Sequence, residues 1–187
     1  MNQDYSMSEE LELLKAVTER LNRANIPYMV SGSIAANYYT VPRMTRDIDI
    51  VVELKETDID EFVNLFAGEF YLNNEMIEKE VRRQGMFNLI HNQFVIKIDF
   101  IVKKSSPYQD TAFSRKREVS IKGSPMWFVS PEDLIISKLN WAKDSHSEIQ
   151  LKDVRNLIET VDNLDVKYID DWISQLDLEK PYKEAMK

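Results

Sequence analysis

Two aspartates one residue apart, Asp47 and Asp49, open an apolar run that ends at Val52. The run predicts a β-strand, and successive side chains of a strand point to opposite faces of the sheet. Asp47 and Asp49 should therefore share one face, about 6.5 Å apart along the strand. Two carboxylates at that spacing suit Mg²⁺, a hard cation that takes oxygen ligands and is commonly completed by substrate phosphates.

A Gly-Ser turn precedes the aspartates and could hold those phosphates. Gly32 follows a predicted strand at 27–30 and allows the backbone to come close to a ligand. Ser33 lies where a short helix is predicted to begin, with free N–H groups and the positive end of the helix dipole. A metal ion and a triphosphate would then meet between the turn and the strand.

The order of these residues resembles the signature of the DNA polymerase β-like nucleotidyltransferase superfamily. Gly32-Ser33 is followed by thirteen residues and then by Asp47-Ile48-Asp49. The motif Arg43-x-Thr45-x-Asp47-Ile48-Asp49 is similar to that of the bacterial branch that includes abortive-infection type toxins and minimal nucleotidyltransferases. The resemblance implies an α/β (α+β) nucleotidyltransferase fold, with a mixed twisted β-sheet, packed helices and a C-terminal helical part.

A third carboxylate, Asp99, lies in the β-rich run at 94–102, which should pair with the run at 86–91 as an antiparallel hairpin. Lys97 and Asp99 share one face of this strand, and apolar residues occupy the other. The superfamily places a third carboxylate beside its paired aspartates, and Asp99 is the best match. The structural alternative for Asp99 is an ion pair with Lys97 at a sheet surface.

A second group of charged residues lies in the C-terminal part. Lys138 falls among the apolar positions of a helix predicted from Pro131, where it either snorkels to water or points into a phosphate-lined cleft. Asp153, on the edge of the next helix's apolar stripe, suggests a charge pair with this lysine. SPEDLI at 130–135 and KDV at 152–154 also look like C-terminal motifs of the toxin-like branch.

The resemblance assigns roles to these residues. The metal ligands would be Asp47, Asp49 and Asp99, with two Mg²⁺ ions expected, and the same three aspartates and Lys138 would be catalytic. The nucleotide-binding residues would be Gly32, Ser33, Arg43 and Asp153. Arg46 is added to them as a second arginine that could meet the triphosphate, although Arg43 is the one that fits the family pattern.

Length and composition limit the alternatives. With 187 residues and 43% hydrophobic content, the chain fits one compact unit, divided into a catalytic core at 1–123 and a C-terminal helical part at 124–187. No cysteine is present, which excludes disulfides, thiolate zinc sites and cysteine nucleophiles. His91 and His146 are far apart in the sequence and are interpreted as ordinary surface or core residues.

Charge and targeting signals point to a soluble enzyme of the cytoplasm. The N-terminus has no signal-peptide pattern, and no segment is apolar enough to span a bilayer, so we expect no membrane partner. The net charge of −8 argues against a broadly basic nucleic-acid-binding surface. Lys103 to Lys122 is the exception, with six basic and two acidic residues, and it is either a docking surface for the acceptor or a solvated loop.

These observations predict a Mg²⁺-dependent nucleotidyltransferase that moves NMP from an NTP to an acceptor hydroxyl and releases pyrophosphate. The toxin-like resemblance implies tRNA or a protein as acceptor, a toxin–antitoxin or phage-defence setting, and a cognate antitoxin as a possible partner. One alternative is a small-molecule nucleotidyltransferase of the antibiotic-modifying type. Another is a non-catalytic nucleotide-binding or antitoxin-like partner that keeps the fold. The presence of all three aspartates, together with Ser33 and Lys138, argues against it.

Overall fold

The computed structural model describes residues 8–145 and 147–187. The first seven residues and His146 lie outside these ranges, so the interpretation of His146 is not addressed. Within the described ranges the architecture is the mixed α/β arrangement that the resemblance implies. No helix in this part of the chain is both long and apolar enough to cross a membrane.

The β-strands form one mixed sheet. In chain order they are β1 (Tyr28–Val30), β2 (Ile48–Val52), β3 (Phe70–Tyr71), β4 (Met86–His91), β5 (Lys97–Val102), β6 (Arg117–Ile121) and β7 (Ser124–Phe128). Their order across the sheet is β3-β4-β5-β2-β1-β7-β6. Strand β2 runs parallel to β5 and antiparallel to β1, and β4 and β5 form the predicted antiparallel hairpin.

The helices alternate with the strands at first and then follow one another to the C-terminal end. They are α1 (Glu9–Arg23), α2 (Gly32–Tyr39), α3 (Ile59–Phe66), α4 (Asn74–Arg82), α5 (Pro107–Ser114), α6 (Pro131–Ser145), α7 (Glu148–Thr160), α8 (Val166–Gln175) and α9 (Glu179–Ala185). The predicted start of α6 is confirmed, because the backbone N–H of Asp133 donates to the Ser130 hydroxyl at 3.1 Å.

Two compact units interleave along the chain. Unit 1 comprises the described residues up to Val30, with Arg46–Lys104 and Glu118–Trp127. Unit 2 comprises Ser31–Thr45, Ser105–Arg117 and Phe128–Lys187. The Gly-Ser turn therefore groups with the C-terminal helices in unit 2, and the division after residue 123 stays a prediction.

An aromatic cluster in unit 1 sets the orientation of β5. Phe100 of β5 contacts Phe62 of α3 with ring centroids 5.1 Å apart and stacks on Phe87 of β4 at 5.5 Å. Ile98 and Val102 are also buried, on the same side as Phe100. Burial of this face directs the alternate side chains, Lys97 and Asp99, to the other face.

In unit 2, α6 and α7 pack through fully buried apolar side chains. Leu134 and Leu139 of α6 and Val154 and Leu157 of α7 have no exposed surface. Lys138 and Asp153 are neighbours of these residues in sequence, so the packing that holds the two helices together also holds the two charges within the unit.

Candidate active site

In unit 1, the strand register brings two predicted carboxylates side by side. Asp49 on β2 is the register partner of Asp99 on the parallel strand β5. Residues opposite each other on neighbouring strands project from the same face of the sheet. Asp47 lies one residue before β2, which begins at Ile48, and its side chain is 58% exposed.

The ammonium of Lys97 lies among these carboxylates. Its Nζ is 2.7 Å from Oδ2 of Asp99 and 4.0 Å from Oδ1 of Asp47. The hydrogen bond to Asp99 is the largest influence and raises the pKa of Lys97; burial opposes the shift, and the charges of Asp99, Asp47 and Asp49 add to it. The ion pair considered as the alternative for Asp99 is therefore present in the structure.

The carboxylates fit a divalent metal by their donor chemistry. All of their ligating atoms are carboxylate oxygens, the type that Mg²⁺ prefers, and they already attract a cationic group. Within residues 8–145 and 147–187, however, no three Asp, Glu, His or Cys side chains are arranged as a metal-binding group. In the structure, the cation among these carboxylates is a lysine ammonium.

In unit 2, four predicted residues form a connected charged cluster. The guanidinium of Arg43 donates twice to Asp153, from Nε to Oδ1 at 3.1 Å and from Nη2 to Oδ2 at 3.0 Å. Its Nη2 also donates to the Ser33 hydroxyl at 2.6 Å. Lys138 donates to Oδ2 of Asp153 at 2.8 Å, so one carboxylate accepts hydrogen bonds from two cations.

The lysine of this cluster is interior and does not snorkel to water. The side chain of Lys138 is 3% exposed, and besides Asp153 it donates to the side-chain carbonyl of Gln150 at 3.0 Å. Burial by itself would raise the pKa of Asp153, but the hydrogen bonds from Arg43 and Lys138 outweigh it, so the pKa of Asp153 is lowered. The charge pair predicted between Lys138 and Asp153 is confirmed.

Two polar residues support this cluster without having been predicted. Asn37 of α2 donates from its amide to the carbonyl of Arg43 at 2.7 Å and accepts from the Arg43 N–H at 3.0 Å. Helical spacing could have identified both supports, because Asn37 lies four residues after Ser33, and Gln150 lies three residues before Asp153.

The remaining predicted nucleotide-binding residues have different environments. Gly32 has a φ of 60°, a left-handed conformation that glycine adopts without strain, which explains the residue type at the start of α2. Arg46 is an exposed residue of unit 1. The predicted residues thus fall into two groups: Asp47, Asp49, Asp99 and Arg46 in unit 1, and Gly32, Ser33, Arg43, Lys138 and Asp153 in unit 2.

The basic segment is more structured than a solvated loop. It contains α5 and β6, and Arg115 pairs with both Glu132 and Asp133, each at 3.3 Å. Arg117 pairs with Glu132 at 3.1 Å, and Arg115 also lies 3.9 Å from the ring centroid of Tyr168. Glu132 and Asp133, in the first turn of α6, are buried partners of these arginines.

Residues 10–182 match the profile of a family described as "Nucleotidyl transferase of unknown function (DUF2204)". The chain belongs to this family. It is thus a nucleotidyltransferase, and the predicted superfamily is supported by the match. No curated protein matches the chain. The toxin-like branch stays a prediction.

Solved structures of other nucleotidyltransferases share the fold of this family member. An antigenic nucleotidyltransferase-like protein from Paracoccidioides brasiliensis matches with a TM-score of 0.60 and 16% identity, over 95% of this chain and 92% of its own. The antibiotic-resistance factor ANT(2'')-Ia matches with a TM-score of 0.60 and 14% identity, over 92% of each chain. The lincosamide antibiotic adenylyltransferase LnuA, bound to lincomycin, matches with a TM-score of 0.52 and 12% identity, over 83% of this chain and 98% of its own.

Proposed function

We propose that this nucleotidyltransferase transfers NMP from an NTP to an acceptor hydroxyl in a Mg²⁺-dependent reaction. The observation that carries the proposal is the register of Asp49 and Asp99 on adjacent parallel strands, with Asp47 one residue before β2. A cation already lies among these carboxylates, since Lys97 is hydrogen-bonded to Asp99. Their field therefore favours positive charge, as a site for Mg²⁺ requires.

The proposed reaction is an in-line displacement at the α-phosphorus. The acceptor oxygen forms a bond to this phosphorus, the bond to the bridging oxygen of the β-phosphate breaks, and pyrophosphate leaves. The acceptor hydroxyl loses its proton to the carboxylate of Asp99. Asp47, Asp49 and Asp99 would hold Mg²⁺, with two ions expected, and bound Mg²⁺ would neutralise the charge that develops on the phosphate oxygens.

The charged cluster of unit 2 is assigned to the nucleotide. Arg43 and Lys138 provide positive charge for the triphosphate, and Asp153 fixes the positions of both cations through its hydrogen bonds. Ser33 accepts from Arg43 and belongs to the turn that Gly32 begins. Arg46, which is exposed, lies at a position that the family pattern does not specify, and its role is proposed only from its positive charge in the loop before β2.

For the acceptor, we propose first the class that the toxin-like resemblance implies. This class is tRNA or a protein, in the cytoplasm, within a toxin–antitoxin or phage-defence system that includes a cognate antitoxin. The RNA form of this proposal has less support from the basic segment, because Arg115 and Arg117 are paired with buried acids of unit 2.

A small molecule with a hydroxyl group is the second candidate acceptor, and a specific observation favours it. ANT(2'')-Ia and the lincosamide antibiotic adenylyltransferase LnuA have the same fold over 92% and 98% of their own chains. The matches cover 92% and 83% of this chain, so the support for this acceptor is the shared fold of a compact enzyme.

The test is a transfer assay with each labelled NTP, Mg²⁺ and three acceptor pools: total RNA, total protein and a panel of aminoglycosides and lincosamides. Label in one pool identifies the acceptor class. Asp49→Asn should abolish transfer while the melting temperature stays near that of the wild type. Glu53→Gln is the matched control, since it removes a carboxylate that follows the same strand but pairs with Lys103. Near wild-type transfer by Asp49→Asn would refute the metal assignment.

A further inference from the structure

Lys97 occupies an unusual position for a surface lysine. It lies two residues before Asp99 on β5, and its ammonium is 2.7 Å from Asp99 and 4.0 Å from Asp47. The charge of Asp49 also acts on it. The positive charge of one ammonium therefore reduces the repulsion among three carboxylates.

We propose that Lys97 is an internal cation that holds the carboxylate face together without metal and is displaced when a divalent metal binds. The proposal rests on the assignment of Asp47, Asp49 and Asp99 as metal ligands in the proposed function. It goes beyond that assignment, because it makes metal binding a competition with a residue of the chain itself.

The physical basis is that the ammonium and a metal ion would place positive charge at the same carboxylate. The Lys97 ammonium is 2.7 Å from Oδ2 of Asp99, so a metal ion bound by Asp99 would lie close to it, and the repulsion between the two cations favours movement of the ammonium away from Asp99. The side chain of Lys97 is 40% exposed, which gives the displaced ammonium access to water. Coupling between two cations at one site is reciprocal. If metal binding displaces the ammonium, the ammonium must lower the affinity of the carboxylates for the metal by the same free energy.

The competition separates this role from that of an ordinary surface ion pair. An ion pair whose carboxylates bind no metal would stabilise the sheet, and its removal would not strengthen metal binding. A competing internal cation predicts tighter binding on its removal, because Asp99 loses the hydrogen bond from Lys97 and a positive charge that opposes the metal is taken away. The two roles therefore differ in the direction of one measured quantity.

The experiment measures Mn²⁺ binding by the electron paramagnetic resonance signal of free Mn²⁺, with full-length protein and without nucleotide. Lys97→Met should bind Mn²⁺ at least roughly tenfold more tightly than the wild type, which corresponds to the coupling of a close charge pair. Lys97→Arg keeps the charge and should remain near the wild type. Lys103→Met is the matched control, because Lys103 directly follows β5 and pairs with Glu53 at 3.4 Å.

Unchanged or weaker Mn²⁺ binding by Lys97→Met would overturn the proposal, and so would an equal gain in Lys103→Met. Thermal unfolding provides the second measurement if Lys97→Met is poorly folded without metal. Mn²⁺ should then raise its melting temperature by more than it raises that of the wild type, since a ligand stabilises the state that it binds. A variant that stays unfolded at saturating Mn²⁺ counts against displacement. Lys97→Gln repeats the test with a polar side chain that carries no charge.

The outcomes distinguish this proposal from the proposed function. If Lys97→Met gains Mn²⁺ affinity but no acceptor pool is labelled by the wild type, the internal cation is supported and the transfer reaction is not. If the wild type transfers NMP and Lys97→Met shows no gain in affinity, the reaction stands and the internal cation is refuted. Asp49→Asn combined with Lys97→Met should lose the gain, which assigns the Mn²⁺ to the carboxylates.

Discussion

Arg43 and Asp153 are 110 residues apart in sequence and form a two-point ion pair, with N–O distances of 3.1 and 3.0 Å. Two parallel hydrogen bonds from a guanidinium fix both the distance and the orientation of its partner. Lys138 donates to the same carboxylate, so Asp153 connects the loop after α2, helix α6 and helix α7. The placement of Arg43 and Lys138, and part of the stability of unit 2, therefore depend on Asp153.

Replacing Lys138 with methionine should be costly, although methionine keeps the apolar stem. The ammonium is buried and paired with Asp153, so its loss leaves a buried carboxylate with fewer partners, and breaking such a pair costs about 3 kcal/mol of unfolding free energy. Urea unfolding measures the loss. Lys143→Met on the exposed side of the same helix is the control and should change stability by less than about 1 kcal/mol. Equal effects in both variants would contradict the buried pair.

The lowered pKa of Asp153 predicts an acid-sensitive contribution to stability. A carboxyl group whose pKa is lower in the folded state contributes stability that is present above its ordinary pKa. The contribution is lost as the pH falls below that ordinary value and through the lowered one. The difference in unfolding free energy between wild type and Asp153→Asn should therefore shrink on acidification in this range. Denaturant titrations at a series of pH values test this, and a constant difference would refute the assignment.

Asn37 is expected to position Arg43. Asn37→Ala removes two hydrogen bonds to the Arg43 backbone, so stability should fall by about 2 kcal/mol and the loop should hold Arg43 less firmly. If Arg43 contacts the triphosphate, KM for the NTP should rise severalfold with a smaller change in kcat. Thr40→Val, at the end of the same helix, is the control, because its hydroxyl donates to Ala36 and not to Arg43. An unchanged KM in Asn37→Ala would remove the positioning role.

The sequence predicted the elements that have strong periodicity or clear end signals. The β4–β5 hairpin and the start of α6 belong to this class. Strand β3 has two residues, too few to give a pattern. Helix α5 was missed although its signal was present: Ser106 accepts from the Gln109 N–H, and Pro107 follows, as Ser130 and Pro131 do at α6.

The candidate site likewise has features that the sequence predicted and features that it could not predict. The residue types and the shared face of Lys97 and Asp99 follow from local spacing. The pairing of Arg43 with Asp153, and of Arg115 with Asp133, depends on contacts between residues distant in sequence, and periodicity carries no information about such partners. For Lys138 and Asp153, their positions on the apolar faces of two helices suggested the pair, and the resemblance added an active-site role. The basic segment had no comparable guide.

The last prediction concerns Arg115 and Arg117. Glu132 and Asp133 are buried, and burial raises the pKa of Asp133 despite hydrogen bonds from Ser130, Tyr168 and Arg115. Replacing both arginines with glutamine leaves these acids without their cationic partners, so the unfolding free energy should fall by about 3 kcal/mol. Urea unfolding measures it.

The control is Lys104→Gln, which removes one positive charge from an exposed position of the basic segment and should leave stability within about 0.5 kcal/mol. This control also tests the acceptor surface without disturbing the fold. If RNA is the acceptor and docks on exposed lysines, Lys104→Gln should weaken RNA binding and reduce the slope of log affinity against log salt by about 1, because one lysine–phosphate interaction is removed. If the double arginine variant keeps wild-type stability and has a defect only in RNA binding, the two arginines are docking residues, and their pairing with Glu132 and Asp133 contributes nothing to the fold.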